Sequence, residues 1–334
     1  MSTRATSLSS AGTGRSPAAA RNVRPRRGRS RPRGALSTGR EGRLGLRFLA
    51  LGYLALLLLL PVGMIFYRTF EHGLGAVWTA ATAPNAVHAF WLSIELVAIA
   101  VPLNTVFGIA IALLIERGRF RGRALLGLVI DLPFAISPVV VGLSLVLVYG
   151  KTGWFGDWLA THGIQVIFSV PGMVLATAFV SLPFVARETI PVLRELGTAS
   201  EQAATTLGAS SWQTFRRITL PGIRWGVVYG VVLTTARVLG EFGAVSVVSG
   251  RIEGQTQSLP LYVQDRFENL DPTGAYTAAV VLALLAFATL LAMNLLTRRA
   301  RRSTAAAPLG PVELAGEQIS AAASSEREPA GAAA

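Results

Sequence analysis

Residues 48–67 read FLALGYLALLLLLPVGMIFY. This run of 20 residues carries no charge. As a helix rising about 1.5 Å per residue, it spans the ~30 Å hydrocarbon core of a bilayer. It is apolar on every side rather than along one stripe, unlike a helix of a soluble bundle. Working outward, five further stretches of similar length follow: Phe90–Ile115, Ala124–Tyr149, Phe168–Ala186, Trp225–Val248 and Gly274–Leu296. The composition agrees, with 51% hydrophobic and 15% charged residues, where a soluble domain carries about 25% charged. The expected fold is all-α, a polytopic membrane protein with six transmembrane helices.

The 334 residues carry a net charge of +13, which on its own suggests nucleic acid, an anionic membrane face or an anionic substrate. Its distribution narrows the choice. Residues 1–47 hold twelve Arg and one acid, Glu41, and account for +11 of the total. With the N-terminus inside, 26 basic residues fall in inside segments, four outside (Arg68, Lys151, Arg251, Arg266) and one, Arg237, within a span. This bias predicts an even number of spans with N and C termini cytoplasmic in the cell membrane. Segment 1–44, rich in Arg, Gly, Pro and Ser, and segment 299–334, rich in Ala, are expected to be disordered cytoplasmic tails around a membrane domain at 45–298. A nucleic-acid partner is not expected: the Arg tail lacks interleaved aromatics and leaves six spans unexplained.

No catalytic constellation is present. The chain has no cysteine, which removes disulfides, Cys-ligated metal sites and a thiol nucleophile. There is no G-x-x-x-x-G-K-[ST] phosphate loop, no H-E-x-x-H and no G-x-S-x-G. The expectation is a non-catalytic protein with no cofactor and no metal, drawing any transport energy from an ion gradient or a partner.

The longest inside loop, at about 197–222, reads GTASEQAATTLGASSWQTFRRITLPG. Thr198-x-x-Glu201 and Ser210-x-x-Gln213 are two capping-box patterns. Gly208 stands where a first helix would end in a left-handed residue, and Pro221 is expected to stop a second. Trp212, Phe215 and Ile218 form an apolar stripe that something must cover: either the protein's own membrane domain or a partner's groove.

This loop resembles the EAA loop of ABC-importer permeases. Ala203, Ala204, Gly208, Ile218, Leu220 and Pro221 match at the right spacing; Gln202 occupies the glutamate position, with Glu201 just before it. Over about residues 45–298 the chain is similar to sulfate/thiosulfate importer permeases of the CysW type. The resemblance is carried by RFRG (119–122), DLPFAISPVVVG (131–142), PGMV (171–174), GASSWQ (208–213) and GEFGAVSVVSG (240–250). It implies a type I ABC-importer permease fold and a four-part core: this subunit, a sister permease and two copies of an ATPase that receives the 197–222 loop. An extracytoplasmic sulfate-binding protein would deliver sulfate or thiosulfate. A permease for molybdate or tungstate is the alternative, and a gradient-coupled secondary transporter a third reading. Thr256–Tyr262, with Val263, Phe267 and Leu270, is either an outer surface meeting the binding protein or a plain interfacial segment facing membrane lipid.

Ionisable groups within spans are functional by default. Arg237 and Glu241, four apart, are expected to share a helix face and pair, either as a structural ion pair or with Arg237 presenting tempered positive potential to an oxyanion. Glu95 and Asp131 should be protonated, paired or near an interface. Pro133 and Pro138 should break the third span, where freed amides and Ser137 could line a cavity, or simply kink it. The candidate pathway residues are therefore Ser137, Arg237, Glu241 and Ser246.

Overall fold

A computed structural model describes residues 40–305, and every regular element among them is a helix. They are α1 (Arg40–Phe70), α2 (Gly73–Ala81), α3 (Pro84–Arg117), α4 (Arg123–Ala135), α5 (Pro138–Tyr149), α6 (Gly156–Thr161), α7 (Val170–Leu196), α8 (Ala199–Thr206), α9 (Ser211–Thr214), α10 (Leu220–Leu239), α11 (Gly243–Val248), α12 (Leu259–Glu268) and α13 (Pro272–Ala305), with one π-helical turn at Phe215–Thr219 between α9 and α10. The residues fall into two units, Met1–Leu57 and Leu58–Ala334. The described part of the first, 40–57, is helical. The two expected tails lie outside the described residues, except that helix already begins at Arg40 and continues to Ala305.

Proline sets many of the helix starts. Pro84, Pro138, Pro171, Pro221 and Pro260 each stand in the first turn of a helix, where no intrahelical N–H is needed and the fixed φ suits the turn. Pro102, Pro183 and Pro191 instead lie within α3 and α7. Helix survives them because packed neighbours restrain the backbone.

The core is α7 held between α3 and α10. A Cβ on Gly108 of α3 would lie 2.7 Å from Val185 Cβ; on Gly230 of α10, 2.8 Å from Val185 Cα; on Gly226, 2.8 Å from Glu188 O. Glycine at these points lets backbones meet, the way spans associate where apolar burial alone offers little. Buried Asn104 of α3 donates its amide to Ala178 O (3.0 Å) and Ser181 Oγ (2.8 Å) of α7.

Among the described residues, five helices are long and apolar enough to cross a membrane, with spans at Arg47–Phe70, Pro84–Arg117, Val170–Leu196, Ser211–Leu239 and Pro272–Ala292; α4 with α5 makes a sixth if that pair counts as one broken span. One expected break forms, and one expected span is corrected. The stretch Ala124–Tyr149 is broken as expected, but at Pro138 alone, since Pro133 lies inside α4; α4 and α5 meet at 108°. Proline disfavours helix in the residue before it, and Ser137 accordingly takes ψ 134°. The stretch Trp225–Val248 ends as a continuous helix at Leu239; Gly240–Phe242 is non-helical before α11 resumes. The two short helices after these breaks pack tightly. A Cβ on Gly142 of α5 would lie 2.8 Å from Ala244 O of α11, and one on Gly243 3.0 Å from Pro138 Cβ.

Candidate functional site

The 197–222 loop is built largely from local signals. α8 ends at Thr206, and Gly208, just past its cap, takes φ +83°. Gly208 N–H donates to Thr205 O (3.0 Å) and Ala209 N–H to Ala204 O (3.0 Å), the paired bonds of a Schellman end. The Ser210 box forms: Gln213 N–H donates to Ser210 Oγ (3.3 Å) and Ser210 N–H to Gln213 Oε1 (2.9 Å).

The Thr198 box does not form; the Thr198 hydroxyl makes no cap bond. Glu201 turns away to a cation instead: Oε2 lies 2.8 Å from Arg117 Nε, and Oε1 accepts from Thr219 Oγ1 at 2.7 Å. A guanidinium outcompetes a neutral backbone amide for a carboxylate. Pro221 also departs from expectation. It does not stop the second helix but stands in the first turn of α10, after the π turn in which Leu220 N–H reaches back to Phe215 O. The wider turn absorbs the missing proline donor, so α9 runs on into the span.

Two of the loop's apolar groups, Leu207 and Trp212, are left uncovered by the chain itself. Trp212 is 66% exposed, Leu207 87%. Trp212 and Phe215 pair with ring centroids 5.5 Å apart, while Phe215, Ile218 and Leu220 are half-buried. Gln202 and Ala203 are exposed, Ala204 half-buried and Pro221 exposed. Sequence reading missed Leu207; its signal was an apolar residue immediately before the helix-ending glycine.

In the spans, Arg237 Nη1 lies 2.5 Å from Glu241 Oε2, with side chains 31% and 2% exposed. The pairing is as expected, but the two do not share one helix: Glu241 lies in the break beyond α10, and its Oε1 accepts the Ala244 N–H of α11 at 2.9 Å. One carboxylate therefore joins two helices. Ser246 Oγ donates to Gly243 O (2.8 Å). Ser137 is exposed at the start of α5, next to the Pro138 that faces Gly243. The two helix breaks are thus brought together, each with a hydroxyl nearby. Gly240 and Phe242 line an apolar groove of about 680 Å³ with Ala236, Leu239 and Tyr276.

Residues 104–302 match the family described as binding-protein-dependent transport system inner membrane component. The chain belongs to that family. It is a multi-pass protein of the cell membrane, a transport permease component. The sulfate transport system permease protein CysW of Synechocystis sp. is 55% identical over 251 residues, covering 75% of this chain and 91% of that one. CysW of Escherichia coli K12 is 50% identical over 245 residues, 73% and 84% of the two chains. The crystal structure of a bacterial alginate ABC transporter in complex with an alginate-bound periplasmic protein aligns with TM-score 0.64 at 19% identity, over 78% of this chain and 96% of that one. This likeness shows the ABC-importer permease fold.

Two further expectations about this permease are decided by its geometry. Asp131 is paired: Arg187 Nε donates to Oδ1 at 2.6 Å and Nη2 to Oδ2. Glu95 is exposed, with no ion pair among the described residues. Thr256–Tyr262 is not an outer surface of the chain. Thr256, Gln257, Ser258, Leu259, Leu261 and Tyr262 are buried, and Leu259 N–H donates to Ser93 Oγ of α3 at 2.8 Å. The apolar residues of this segment pack into the bundle; Phe267 and Leu270 remain exposed.

Proposed function

We propose that this chain is the transmembrane permease subunit of an ATP-driven importer of sulfate and thiosulfate, forming half of the translocation pathway and performing no catalysis itself. The observation that carries it is the 197–222 loop: a rigidly capped turn that holds Leu207 and Trp212 out from the chain, in a family defined by binding-protein-dependent transport. Exposed apolar side chains on a fixed turn suit insertion into a partner's cleft. The partners are a sister permease, an ATPase pair seated on this loop and an extracytoplasmic sulfate-binding protein, with lipid around the spans; no nucleic acid is involved. The sulfate assignment follows the names of the CysW relatives. Both termini and the docking loop face the cytoplasm, in keeping with the Arg distribution.

In this reading, ATP-driven closure of the ATPase pair moves the loop and switches the pathway between its two faces. Ser137, Arg237, Glu241 and Ser246 stand at the two helix breaks, the positions suited to an anion path. Glu241 tempers Arg237, so a divalent oxyanion is attracted without being retained.

The test is sulfate uptake in a cell whose own importer lacks the corresponding subunit. Restored uptake is expected. No uptake from a chain that is inserted and assembled with its partners sinks the assignment, and molybdate uptake in its place reassigns the substrate.

A further inference from the structure

Helix α8 has no buried residue. A force applied to a helix without a core anchor would be lost in bending its loops. Yet the docking reading requires that movement at α8 reach the spans. What ties α8 down is Arg117, in the last turn of α3. Its Nη2 donates to Gly197 O (2.7 Å) and Leu193 O (3.3 Å) at the end of α7, where carbonyls lack helical partners and favour a cation. Its Nε holds Glu201 of α8 at 2.8 Å. The other Glu201 oxygen takes the hydroxyl of Thr219, buried in the π turn that leads into α10. The three helices tied through this pair, α3, α7 and α10, are those whose backbones meet at Gly108, Gly226 and Gly230. Gln202 and Ala203, on the same helix, are exposed.

We infer that Arg117 and Glu201 are positioning residues: a strut that delivers movement of the docking loop to α3, α7 and α10 as one body. Glu201 faces inward to the strut, and Gln202 is the neighbour left to face the partner. The inference rests on the proposed function and adds the route by which the loop drives the membrane domain. A guanidinium is suited to the task because its Nη2 can donate to the two α7 carbonyls while its delocalised charge holds Glu201 as an ion pair.

The experiment uses the full transporter in proteoliposomes, reading ATP hydrolysis and uptake of radiolabelled sulfate together. Glu201→Gln keeps the size of the side chain and the acceptor for Thr219. It is expected to assemble and hydrolyse ATP, but to move roughly fivefold or more less sulfate per ATP, the low end of ordinary coupling between sites. The chain has no cysteine, so the pair Arg117→Cys and Glu201→Cys can be bridged by a short bis-methanethiosulfonate, using partners without reactive cysteine. The unbridged pair should be uncoupled, bridging should restore sulfate moved per ATP, and reduction should remove it again. A merely structural role would alter assembly and not this ratio. An unchanged ratio in Glu201→Gln, or a bridged pair that stays uncoupled, overturns the strut. A wild-type chain showing no ATP-driven uptake removes the docking reading beneath it, and the strut with it.

Discussion

Arg237 and Glu241 show how one residue pair can hold an element boundary. Glu241 is almost fully buried and serves both the guanidinium and the Ala244 amide. Arg237→Gln would leave that carboxylate buried without a counter-charge. Breaking a buried pair from one side costs about 3–5 kcal/mol, and since Arg237 is itself nearly a third exposed, a loss near ~3 kcal/mol is expected. The Glu241→Gln change made together with it should recover most of that loss, because a neutral amide oxygen can still cap Ala244. Thermal unfolding of the purified chain in detergent checks both. An Arg237→Gln protein as stable as wild type would mean that the carboxylate finds another partner. The pairing itself was legible from a spacing of four. That Glu201 would choose Arg117 over Thr198 was not, because a capping box is read from neighbours while the competing cation stands on another helix.

At the scale of elements, helix ends were more readable than helix breaks. Gly208 was legible as a terminus, and the structure gives the physical reason: φ is +83° and, apart from its chain neighbours, no atom lies within 4 Å of a Cβ placed there. The constraint is conformational and not steric crowding. Gly208→Val therefore costs about 1–2 kcal/mol or more for a left-handed β-branched residue. The loss falls on the turn that sets Leu207 and Trp212 relative to each other. Membrane insertion should survive while co-purification with the ATPase and ATP-coupled uptake fall. Normal assembly and uptake in that variant would count against the docking role. Pro221 was misread as a stop because a proline after an apolar stripe usually ends a helix; a π turn that absorbs its missing donor leaves no pattern in sequence. The break at Gly240–Phe242 was hidden too. Mean apolarity over Trp225–Val248 does not register one carboxylate capping a new helix. Pro138 did announce the other break, while Pro133 stays inside α4; the 108° angle was not legible, because it depends on the packing of α5 against α11.

For the whole molecule, basic residues carry the information about orientation, and the structure shows that several of them also do structural work. Arg117, Arg123, Arg187 and Arg194 pair with Glu201, Glu116 and Asp131. Those pairs fasten α3, α4, α7 and α8, so arginines on which the expected orientation rests also hold the loop end of the bundle together. Acids count little against Lys and Arg in setting topology, and so the pairing does not weaken the orientation argument. The expected topology places Arg119 inside and Lys151 outside. Both are exposed, and the cysteine-free chain allows each to be replaced singly. Lys151→Cys should react with a membrane-impermeant maleimide on intact cells stripped to the plasma membrane, and Arg119→Cys only after permeabilisation. The reverse pattern would put the 197–222 loop on the face away from cytoplasmic ATP. The docking role and the strut would fall together, however close the chain stands to its permease relatives.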